Sequence, residues 1–233
     1  MSGRRTGFSN EGRFRTADFP FHPVSFDLSG VFNRDVVRNP GDAENDPFDQ
    51  GNASAWTVDG FDGTGAGRAA AQGLPADARV GLHRLGDYSG RNALQLTAEM
   101  KGEVRIAAPR RRYQAVRFLL AGGGGSSEVP LRLEFAEGEP LRILLSCPDW
   151  TRRLPVPSKQ SGVLISTSLL GGDILGIDGR LLEDVNNRQL FDALMETPAD
   201  RELASIAIEW DRAVLEDPAA RFNLLAITGV ASD

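Results

Sequence analysis

The sequence predicts an all-β fold, an antiparallel two-sheet β-sandwich or jelly roll with at most one or two short helices. Three observations carry this expectation. Short apolar or alternating runs recur along the chain, separated by Gly, Pro, Asp and Asn, which is the pattern of strands and turns. Successive runs lie at turn-length spacing with no helical crossovers between them, so parallel βαβ units are not expected. At 233 residues the chain also has a length that a β-sandwich reaches as one domain.

Taken in order, residues 1–22 are rich in Arg, Gly, Ser and Asn and read as a flexible or surface-docked N-terminal arm. Phe8, Phe14, Phe19 and Phe21 qualify that reading, because such a density of phenylalanine favours docking on the chain's own domain or on a neighbouring subunit. Residues 23–233 are expected to form a single β-sandwich domain with a long insertion around 155–200. Its strands begin with Val24 to Leu28, Val80 to Leu85, Ala93 to Thr97 and Glu103 to Ala107. Ala115 to Ala121, Leu131 to Phe135, Leu141 to Ser146 and Val163 to Ser166 follow, then Leu203 to Trp210 and Phe222 to Val230. The clearest alternation is Leu131-Arg132-Leu133-Glu134-Phe135, apolar on one face and charged on the other, as in a half-buried antiparallel strand. One segment competes as a helix: in Val185 to Glu196 the residues Leu190, Phe191, Leu194 and Met195 fall at helical spacing, and helix and strand both stay open there. Gly122 to Ser127, GGGGSS, lies between two strands and reads as a flexible hairpin loop.

Composition bounds the function classes. Hydrophobic content of 41% and charged content of 25% are those of a globular chain. The net charge of −6 makes nucleic acid an unexpected partner, and the one basic cluster, Arg110-Arg111-Arg112, reads as a solvated turn. Cys147 is the single cysteine, so no internal disulfide and no thiolate metal cluster is expected. No run approaches the length of a membrane span and the first twenty residues hold no apolar signal core, so a soluble, uninserted protein is expected. Its location would be extracellular if a signal peptide had been removed, and cytoplasmic otherwise.

Val58 to Arg68, VDGFDGTGAGR, gathers four glycines and two aspartates. It nearly matches a dinucleotide fingerprint, but that motif needs a strand before it and a helix after it, and Gly73-Leu74-Pro75 arrives within two turns. A glycine-driven turn is the simpler reading. Just upstream, Asp42, Glu44, Asp46 and Asp49 supply hard oxygen ligands of the kind calcium takes, with Asp42, Asp46 and Asp49 as candidate ligands for a structural Ca²⁺, although EF-hand spacing is lacking. His22 and His83 are the two histidines and stand far apart, which disfavours zinc. His83 belongs to a strand and should point away from Leu82; facing a groove with Tyr88 and Arg91 it would suit proton abstraction from a uronic acid. No nucleophile elbow is present, and no carboxylate pair is singled out for glycoside hydrolysis. Among the aromatics, Trp56, beside Asn52-Ala53-Ser54, is the candidate sugar platform, while Trp210 and Tyr113 read as packing residues.

Several features in order resemble a known family: Phe32-Asn33, Asp59-Gly60-Phe61-Asp62-Gly63-x-Gly65, Leu74-Pro75, Tyr113-x-x-Val116-x-Phe118-Leu119-Leu120 leading into glycines, Asp149-Trp150, and a closing Leu224 to Thr228. Together they resemble the galactose-binding-like β-sandwich domains attached to many bacterial carbohydrate-active enzymes. The resemblance spans Asp27 to Val230 and departs from the family where Arg68-Ala69-Ala70 replaces an aromatic and Glu137-Gly138 replaces Asp-Gly. It implies a module that binds glycans or serves as a structural appendage; the first reading is a non-catalytic module binding a poly- or oligosaccharide, with Trp56, Asp59, Asp62, His83, Tyr88 and Arg91 as candidate ligand contacts. A self-assembling or partner-binding subunit, a homo-oligomer joined through the N-terminal arm, is the alternative, and a small jelly-roll polysaccharide lyase is the second.

Overall fold

The computed structural model describes residues 21–39, 46–49, 54–58, 74, 77–152, 158–160, 162–170, 174–176 and 189–232. The chain starts with short strands: β1 (Phe21–Ser25), β2 (Val37–Arg38), β3 (Ser54–Thr57), β4 (Arg79–Val80), β5 (His83–Arg84) and β6 (Leu94–Thr97). Long ones follow as β7 (Glu103–Arg112), β8 (Ala115–Gly123), β9 (Ser127–Phe135) and β10 (Leu141–Cys147). The rest are β11 (Ser158–Gln160), β12 (Val163–Leu170), β13 (Ile174–Gly176), β14 (Gln189–Glu196), β15 (Glu202–Glu209), β16 (Val214–Leu215) and β17 (Arg221–Ser232). Trp210–Arg212 is a single 3₁₀ turn, and the described residues contain no α-helix.

Two antiparallel sheets carry the fold, an all-β sandwich. The larger runs β1-β17-β8-β14-β12-β11, with β6 also on β17; the smaller runs β10-β9-β15-β7, with β16 on β9. Alternation assigns their faces. Val116, Phe118 and Leu120 of β8 share one face with Phe191, Ala193 and Met195 of β14, their register partners, and all six are buried. Phe222 of β17 lies on this inner face and meets Trp210, which follows β15 of the smaller sheet, at 6.0 Å between ring centroids. In β9 the sequence alternation holds: Leu131, Leu133 and Phe135 are buried, while Arg132 and Glu134 point outward into a ladder of ion pairs with Glu103, Arg105 and Glu209.

Within the segment with helical spacing, Gln189 to Glu196 is strand, and residues 185–188 lie outside the described residues. β14 pairs with β8 on one side and β12 on the other, so it is a central strand. Leu190, Phe191, Asp192, Ala193 and Met195 are all buried, because both faces of the sheet are covered there. Burial on two faces erases the period of two, and what was left in the sequence mimicked a helix.

The glycine run also differs from expectation. Gly122 N–H bonds Pro148 O at 2.7 Å and Trp150 N–H bonds Gly122 O at 2.8 Å, so this part of β8 is clamped to the Asp149-Trp150 segment. A Cβ on Gly122 would fall 2.5 Å from Gly125 O, and one on Gly123 would fall 2.4 Å from Phe48 O. These glycines allow close backbone approach rather than loop freedom.

β1 begins at Phe21 and pairs with β17 from Phe21↔Ser232 to Ser25↔Thr228, so Phe21 and His22, the last two residues of the expected arm, belong to the sheet. Residues 1–20 lie outside the described residues, as does most of the 155–200 insertion before β14.

Candidate functional site

The outer face of the large sheet is mostly covered. Phe48, Trp56 and Trp150 form a buried aromatic cluster on it, with Phe48 stacked on Trp150 at 4.6 Å and Trp56 edge-on to both at 6.1 and 5.9 Å. Trp56 is fully buried, so it has no face to offer a sugar, and its role is packing. Asp49 is buried too and accepts a hydrogen bond from Trp150 Nε1 at 3.1 Å. Asp46 accepts from Asp35 N–H at 3.0 Å and from Arg34 at 3.3 Å. Both carboxylates anchor their own loop, and no group of three or more His, Cys, Asp or Glu side chains among the described residues is placed to hold a metal ion. Asp42, Asp59 and Asp62 lie outside the described residues.

Of the other expected site residues, Tyr88 is buried, with its carbonyl accepting from Asn39, and Arg91 is exposed. His83 differs most from the sequence reading. β4 and β5 form a hairpin whose two-residue turn puts Gly81 at φ 59°, a conformation glycine takes without strain. The hairpin lies over β17 and turns His83 inward at 1% exposure. Thr228 Oγ1 stands 3.0 Å from His83 Nδ1, and His83 Nε2 stands 3.4 Å from Asp192 Oδ1. The second distance is that of a charge contact, longer than a well-formed hydrogen bond.

Asp192 is the hub. Arg117 donates from Nε to Asp192 Oδ1 at 3.1 Å and from Nη2 to Asp192 Oδ2, a bidentate fork. Burial would push the Asp192 carboxyl up; the hydrogen bonding and charge of His83 and Arg117 together outweigh it and hold it below the usual carboxylate range. The fork uses two of the five guanidinium N–H groups, and among the described residues no partner takes the other three.

Arg117 opens onto a cleft of about 430 Å³. The register explains it: Thr228, Arg117 and Leu194 stand side by side on β17, β8 and β14, and Val230, Ala115 and Glu196 form the next row on the same face. Pro23 of β1 and Leu82 of the hairpin add apolar walls. Gln114 and Glu196 are exposed at the rim, and Thr197 is fixed there by donating to Tyr113 O at 2.6 Å. Among the described residues, no aromatic side chain lines the cleft.

Sequence reasoning missed this site, though a signal was present. Arg117 is the only charge in the run Ala115 to Ala121, and Asp192 the only one in Gln189 to Met195. A lone charge inside a buried strand requires a partner, and two such strands imply each other. No protein-family model matches the chain and no curated protein matches it either.

Proposed function

We propose that the protein is a non-catalytic carbohydrate-binding β-sandwich of the galactose-binding-like kind, taking a neutral oligosaccharide in the outer-face cleft. The observation that supports this is the Arg117 guanidinium, held in place by a buried carboxylate and lining a cleft with an apolar floor, with three N–H groups that no partner takes among the described residues. Sugars present hydroxyls at their edges and C–H groups on their faces, and the cleft offers donors and acceptors at Arg117, Gln114 and Glu196 around Ala115, Leu194 and Val230. Asp192 already neutralises Arg117, and Glu196 adds a negative charge at the rim, so a polyhydroxylated neutral ligand is favoured over a uronate.

The lyase alternative gains nothing from this geometry. It asks His83 and Tyr88 to reach a substrate in an open groove, and both side chains are buried, at 1% and 8% exposure. Calorimetric titration of the folded protein with a panel of neutral and acidic oligosaccharides tests the reading. Binding of neutral members supports it; no binding across the panel, or binding of acidic members alone, overturns it.

A further inference from the structure

We propose that residues 1–20 of this chain are an internal occupant of the cleft, seating phenylalanine on its apolar floor. The argument starts from where the described chain begins. β1 runs antiparallel to β17, and its Pro23, opposite Val230, lines the cleft. Going upstream from Pro23 to Phe21 moves along β17 from Val230 to Ser232, toward the end of the sheet where Glu196 and Thr197 stand. The arm therefore joins the body at the mouth of the cleft.

Composition supplies the match. Residues 1–20 hold Phe8, Phe14 and Phe19, whereas no aromatic residue lines the cleft among the described residues. Their Arg4, Arg5, Arg13 and Arg15 outnumber Glu11 and Asp18, so the arm is basic on a chain whose net charge is −6, and Glu196 at the rim is the acid among the described lining residues, which also include Arg117, already paired with Asp192. The apolar row also continues past the cleft: Leu164 of β12 pairs with Leu194 and is 37% exposed, one of the few large apolar side chains left open among the described residues. Reach is sufficient. β14 lies three strands from β1, roughly 15 Å at the usual strand spacing, while the seven residues from Phe14 to Phe21 span up to about 23 Å.

A ligand of the cleft would then have to displace the arm, a consequence that rests on the carbohydrate reading, whereas the docking itself does not. Two measurements test the docking without any sugar. In the first, Phe14→Cys is combined with Ala199→Cys in the cleft, or with Arg142→Cys on the outer face of the smaller sheet as a control. The native Cys147 is buried and does not compete. Oxidation of dilute protein should give a monomeric crosslink to position 199 severalfold above the control. A crosslink no greater than the control overturns the proposal, and a crosslinked dimer replaces it with an arm seated in a second copy. In the second, full-length protein carrying Phe8→Ser, Phe14→Ser and Phe19→Ser is compared with wild type by hydroxyl-radical footprinting. Oxidation of Leu82 and Leu194 should rise severalfold; unchanged oxidation overturns the proposal.

Discussion

Arg117 grips Asp192 diagonally across the β8–β14 ladder, since Asp192 stands opposite Leu119 and Arg117 opposite Leu194. Both side chains are largely buried, 14% and 6% exposed, so each depends on the other. Removing one partner of such a pair leaves an uncompensated charge, which typically costs about 3–5 kcal/mol. Asp192→Asn should lower the urea unfolding free energy by roughly that amount. The double change Arg117→Met with Asp192→Leu should recover most of it, because two apolar side chains leave no orphaned charge.

The same carboxylate makes stability acid-sensitive. Its pKa is held below the unfolded value, so its stabilising contribution is fully present above about pH 4, the usual range of an unfolded aspartate. The contribution is lost as pH falls through the lower, folded value. Urea unfolding of wild type and Asp192→Asn at a series of pH values should therefore show two curves separated near neutrality and converging in acid. A gap that stays constant down to pH 2 would show that the charge of Asp192 is not what stabilises.

At the rim, Glu196 and Gln114 are exposed and their replacement should leave the fold intact. With a neutral oligosaccharide as titrant, Glu196→Gln and Gln114→Ala should each weaken binding by about 1 kcal/mol, the worth of one hydrogen bond, or about fivefold in Kd. An unchanged Kd in both variants would place the ligand elsewhere.

What could be read in advance follows from burial. β9 was legible because one face is core and the other carries Arg132 and Glu134. β14 was ambiguous because both its faces are covered from Gln189 to Ala193, and covering erases alternation. The site was misplaced for a related reason. Trp56 stands beside polar residues in sequence, yet Phe48 and Trp150, which bury it, come from elsewhere in the chain and meet it through tertiary packing. Arg117 and Asp192 lie 75 positions apart, so their pairing is visible only once the strand order is known.

The glycine clamp gives a prediction of its own. A methyl group at Gly123 would sit 2.4 Å from the Phe48 carbonyl, a backbone atom that moves only if its loop moves. Gly123→Ala should destabilise by about 1–3 kcal/mol, as overpacking does, whereas Gly30→Ala, with no atom within 4 Å of the new methyl, serves as a near-neutral control. Equal unfolding midpoints for the two variants would mean that β8 does not need glycine there.

Trp56 separates packing from recognition. Its indole is fully buried between Phe48 and Trp150, so Trp56→Ala removes core volume and should cost about 3–5 kcal/mol of stability. Ligand affinity per folded molecule should stay unchanged, because the cleft beside Arg117 does not include Trp56. Measuring both on the same variant decides the matter: a stable protein with lost binding would return Trp56 to the role of a sugar platform, and an unstable protein with retained binding would keep it in the core.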